Sequence, residues 1–169
     1  DHQNAYPFRT VTMVLSNWLS LDASNGGQLS LALEADAQMA EVLRQYLKSG
    51  DLDPVLEFWL PFSTLDQLEF YGRLRDFNLR VEEASQRLPA GRRVSFQVVG
   101  LEPPSPLSAT NVTQADLPSI WEAGTVANER DRRIAKNLMA HLTAHPQDHV
   151  LVFYGDANLS TRPQPTSWA

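Results

Sequence analysis

Cysteine is absent from all 169 residues, which excludes disulfide staples, thiolate zinc sites and thiol catalysis together. This says little about compartment, because cysteine-free proteins fold in reducing and oxidising surroundings alike. Long apolar runs are missing too. FWLPF and VLVFYG are each broken by proline or a polar residue within a few positions, so no stretch approaches the length of a bilayer crossing. A basic surface is lacking: 14 Lys and Arg stand against 20 Asp and Glu, for a net charge of -6 and a pI near 5.1. That balance argues against nucleic acid as a partner, since phosphate neutralisation needs concentrated positive charge. The amino-terminal DHQNAYPF has neither a basic n-region nor an apolar h-region, so no signal peptide is visible in it.

What remains is the composition of an ordinary globular domain, and its patterning alternates helix with strand. Val11, Val14, Leu15, Trp18 and Leu19 recur at helical spacing from Phe8 to Leu19, with Pro7 suited to the first turn. After ASNGGQ, LSLALE reads as a short buried strand ending at Glu34. Met39, Val42, Leu43, Tyr46 and Leu47 then form a helical stripe stopped by Gly50. A second helical region spans about Asp53 to Leu88, divided by Pro61 and restarted by a capping box at Thr64 to Gln67, with Leu65, Leu68, Tyr71 and Leu74 on its apolar face. RVSFQVVG is a second strand, leading to Glu102 and a proline-rich surface excursion. Ile134, Leu138 and Leu142 mark a helix from about Val126 to Ala144, and HVLVFYG is the third strand. Strands separated by helices, with no hairpin signal, predict an α/β fold with a mainly parallel sheet.

Open parallel sheets bind ligands beyond the carboxyl ends of their strands. The residues there are Glu34, Glu102 and the GDAN run of Gly155 to Asn158. The last helix must run antiparallel to the strand after it, which brings its first turn, with Arg130 and Asp131, to the same edge. His2 is a further candidate, because an imidazole beside a carboxylate can act as base, nucleophile or metal ligand.

The order of these motifs resembles the erythromycin esterase and ChaN-like superfamily, with Tiki and TraB proteins as relatives. Asp1 and His2 match the last two positions of that family's Gly-Glu-x-His strand end, whose Gly and Glu would fall before residue 1. LALE matches its second strand, ERDRRIAKNLMAHL its arginine-bearing helix, LRDFN its Leu-Arg-x-Tyr-Asn run, and VVGLE a strand ending in Gly-x-Glu. GDANL stands where Gly-x-x-His-Leu is expected, so Asn158 replaces a histidine, and a neutral amide neither ligates metal well nor shuttles protons near neutral pH. The resemblance implies one α/β domain over residues 1–169, truncated at both ends, with its first strand missing before residue 1. It implies hydrolysis of an ester or related bond, with His2, Glu34 and Arg130 as catalytic residues. Glu102, Asp131 and Asn158 would contact a small-molecule substrate. The ChaN branch implies an alternative, haem or a divalent metal held by His2 and Glu34, and loss of the histidine at Asn158 a second, a domain used for interaction. Relatives of this kind favour a periplasmic or extracytoplasmic setting.

Two other groups are read as structural. His141, His145 and His149 recur every four residues, but Pro146 turns the chain away, and helix-end surface histidines account for the first two. Trp18, Trp59 and Trp121 suit core or rim packing.

Overall fold

A computed structural model describes residues 5–22, 26–59, 65–102 and 127–154. Their elements are α1 (Ala5–Asp22), β1 (Gly27–Asp36), α2 (Ala37–Ser49), α3 (Asp53–Trp59), α4 (Leu65–Gln86), β2 (Val94–Glu102), α5 (Ala127–Ala144) and β3 (His149–Phe153). The three strands form one sheet in the order β2-β1-β3, and both pairings are parallel. The expected α/β fold is therefore present. Among the described residues no helix is long and apolar enough to cross a membrane.

Consecutive residues of β1 are buried, Leu29, Ser30, Leu31, Ala32 and Leu33 alike, as a strand covered on both faces must be. Leu29, Leu31, Leu33 and Ala35 join Val94 and Val98 under α1, α2 and α4, whose contributions include Leu15, Leu43, Leu74 and Phe77. Ala32 and Leu101 join Tyr154 on the opposite face, where Ile134 and Leu138 of α5 pack. The first face holds most of the core. Each of its fully buried leucines contributes about 1.5–3 kcal/mol.

Several local expectations shift. The apolar stripe of α4 is Phe70, Tyr71, Leu74, Phe77 and Val81, and Leu65 is 85% exposed. In α1, Val11, Leu15 and Trp18 are buried while Val14 lies largely in solvent. The LRDFN run serves packing: Leu74, Phe77 and Asn78 are buried, and the Arg75 guanidinium covers Gly50, the left-handed cap of α2 (φ 78°). That arginine stands at the far end of α2 from Glu34, about 20 Å away along a helix of this length. Thr64, the expected capping residue, and Trp121 lie outside the described residues.

Among the described residues β2 is an edge strand, and α2 guards it. Arg44 Nη1 donates to the Val98 carbonyl at 2.7 Å, while its Nε and Nη2 donate to Glu41. The guanidinium in turn holds the Glu41 carboxyl below its usual range. An edge carbonyl occupied in this way is unavailable to a foreign strand.

Candidate functional site at the strand ends

The connection leaving β1 passes to α2 on one face of the sheet, whereas β2 is followed by α5 on the other. In open parallel sheets, the carboxyl ends of two neighbouring strands whose connections leave on opposite faces are the usual place for a ligand. Glu34, Asp36 and Glu102 stand there.

Glu34 does not end its strand, contrary to the sequence expectation. Leu33 pairs with Gly100 and Asp36 with Glu102, so Glu34 and Ala35 together oppose the single residue Leu101. This is a β-bulge, a device that bends a strand and re-aims a side chain. The strand continues through it because Asp36 is the N-cap of α2, its side chain accepting from Met39 N at 2.8 Å. Two neighbours make room for the bulge. Gly100 faces it without a Cβ, which would lie 2.2 Å from the Asp36 carbonyl oxygen. The Leu101 carbonyl, beside the slipped ladder, accepts from Asn137 Nδ2 of α5 at 2.8 Å, as a backbone acceptor displaced from a sheet must find another donor.

Glu34, Glu102 and Asp131 are each half-buried. Asp131 shares a helical face with Ile134 and Leu138, and that face lies on the sheet, so the amino end of α5 stands at this edge. Arg130 belongs to the same turn of α5, but its side chain lies outside the described residues, as do His2 and Asn158. The structure thus brings Glu34, Glu102 and Asp131 to one edge. Asp36 is already committed to its cap, and among the described residues no three His, Cys, Asp or Glu side chains are grouped to hold a metal.

No family model, curated protein or solved structure matches this chain.

A second polar cluster lies at the opposite, amino edge, under the far end of α5. Ser95 Oγ donates to Gln28 Oε1 (3.2 Å), Gln28 Nε2 to Asp148 Oδ2 (2.8 Å), Ser30 Oγ to the same oxygen (3.0 Å) and Gln97 Nε2 to Ser30 Oγ (2.9 Å). His141 closes the cluster from above, its Nε2 3.8 Å from Asp148 Oδ2, with side chains 11% and 10% exposed. The surface reading of His141 is corrected: the sheet-facing stripe of α5 is Asp131, Ile134, Leu138 and His141, whereas Leu142 is 36% exposed. Strict steps of four drift around a helix of 3.6 residues per turn, and the 3-4-3 spacing keeps His141 on the sheet. A carboxylate does join it, because the turn through Pro146 brings Asp148 back. His149 points to the other face, beside Trp18 (ring centroids 5.9 Å). A readable signal existed in the polar residues at alternate positions of both strands, Gln28 and Ser30, Ser95 and Gln97. An apolar groove of about 170 Å³ among the described residues, between α1 and β3, is lined by Val14, Trp18, Leu29, His149 and Leu151.

Proposed function

We propose that the chain is a hydrolase-like α/β protein acting on an ester or related bond at the carboxyl edge of its sheet. The observation that supports this reading is the order β2-β1-β3 with α2 and α5 on opposite faces, so that the bulged Glu34, Glu102 and the amino end of α5 share one edge. The motif order shared with the erythromycin esterase and ChaN-like superfamily supports the same edge.

In this mechanism His2 takes a proton from water as the oxygen attacks the substrate carbonyl carbon. Glu34 accepts a hydrogen bond from the imidazole and fixes its orientation. Arg130 stabilises the oxyanion of the tetrahedral intermediate. Collapse re-forms the carbonyl and expels the alkoxide, which recovers the proton from His2. Glu102 and Asp131 stand at the same edge, and Asn158 offers an amide to the substrate. The test is a panel of esters assayed with wild type, Glu34→Gln and His2→Ala. Each variant is expected to lose about 100-fold or more in rate, the ordinary worth of a positioned acid or base. Equal rates in all three proteins reject the site.

A further inference from the structure

The amino-edge cluster converges on one oxygen. Asp148 Oδ2 already accepts from Gln28 and Ser30, so two donors partly satisfy its charge before His141 is considered. His141 Nε2, at 3.8 Å, is beyond hydrogen-bond reach, buried and without a hydrogen-bond partner. On its other side the His145 ring lies 4.8 Å away, inclined at 38°.

We propose that the His141–His145–Asp148 cluster is an acid-released latch, which holds the last turn of α5 and the turn into β3 on the sheet while the His141 imidazole is neutral and lets go when it is protonated.

Among the described residues the charged and titratable groups around His141 are few. The turn that follows its helix supplies His145 and Asp148, and the strands beneath supply the uncharged Gln28, Ser30 and Gln97. An imidazolium there loses hydration and is repelled by a charged His145, whereas Asp148 alone favours it. Burial and His145 outweigh Asp148, holding His141 below the ordinary histidine range. The carboxylate is the weaker influence because its nearer oxygen is already engaged from below.

Linkage then fixes the sign. A histidine whose folded pKa is depressed favours the folded form most where it is neutral in both states. The latch is therefore at full strength above the unfolded value of about 6.5, and loses strength as pH falls from there through the lower folded value. The consequence is local. The turn is closed by His145 N donating to the His141 carbonyl (2.9 Å) and Asp148 N to that of His145 (3.1 Å), so displacing His141 carries Asp148 with it. Elsewhere α5 is held by Ile134, Leu138 and the Asn137 bond, and most of its other side chains are exposed. The latch does not depend on the hydrolytic reading.

Hydrogen–deuterium exchange of peptides spanning 138–153, corrected for intrinsic rates, tests it between about pH 7.5 and about pH 5. In wild type, protection of this segment is expected to fall by up to about tenfold per pH unit below about 6.5 for one proton taken up, while α2 and α4 hold constant. His141→Gln should abolish the pH dependence, and His145→Gln should move it to lower pH-sensitivity by removing the repulsion. An unchanged pH dependence in His141→Gln, or constant protection in wild type, overturns the proposal. Should His141→Gln fail to fold, the NMR titration of the His141 ring in wild type decides: a midpoint below the ordinary histidine value supports the latch, and one at or above it refutes it.

Discussion

Replacing Gly100 with alanine tests whether the bulge at Glu34 and Ala35 belongs to this fold. The added Cβ would meet the Asp36 carbonyl oxygen at 2.2 Å, its carbonyl carbon at 2.6 Å and the Ala35 carbonyl oxygen at 2.7 Å. All three are backbone atoms, so no rotamer change relieves the overlap. Carbon atoms pack best at about 3.5–4.0 Å, and relief requires a shift of roughly 1 Å in the segment that caps α2. Overpacking of this kind costs about 1–3 kcal/mol. The strand propensity of alanine over glycine returns roughly 0.5–1 kcal/mol, a return that the Gly91→Ala control shares, leaving a net loss of up to about 2.5 kcal/mol if the cap survives. Loss of the Asp36 cap adds about 1 kcal/mol. Urea denaturation reads the change as a lower midpoint at constant slope. Gly91→Ala is the control, because its Cβ would meet nothing within 4 Å. A Gly100→Ala protein as stable as the Gly91→Ala control refutes the bulge, since a regular ladder would accept the methyl group.

Two further substitutions probe neighbouring elements. Gly72 lies within α4, where a Cβ would meet nothing outside the helix within 4 Å. Gly72→Ala should raise the urea midpoint by an amount equivalent to about 0.5–1 kcal/mol, and a loss of stability would mean that α4 packs differently at this turn. Asp36→Ala removes the acceptor for Met39 N and should cost about 1–2 kcal/mol, with Asp36→Asn retaining most of it. Equal losses in the two variants would show that the carboxylate charge, rather than the cap, matters.

How much of this was legible before the structure depends on the range of the interaction that decides each feature. The parallel sheet was legible because each strand is a short, mostly apolar segment and each is separated from the next by a helical stripe. Leu29, Leu31 and Leu33 declared a buried strand by composition alone. Gly50 declared the end of α2, since few other residues accept its left-handed backbone. The stripe of α5 was legible in its middle, at Ile134 and Leu138, and misread at its end. There the choice between His141 and Leu142 turns on helical phase, and hydrophobicity pointed to the wrong residue.

The bulge was not legible, because register belongs to a pair of strands and LSLALEAD contains no mark of it. Its trace lies 66 residues away, at Gly100, and a glycine near a strand end has many ordinary explanations. The same holds for the candidate site. That Glu34 lies near the end of a strand follows from the local pattern. That it shares an edge with Glu102 and the amino end of α5 follows only from the order β2-β1-β3, with α2 and α5 packed on opposite faces. Had β2 and β3 lain on the same side of β1, the same residues would have the same local structure and other neighbours. The carboxylate is therefore a property of the sequence, whereas its surroundings are a property of the strand order, and the bulge that Gly100 permits is where the two meet.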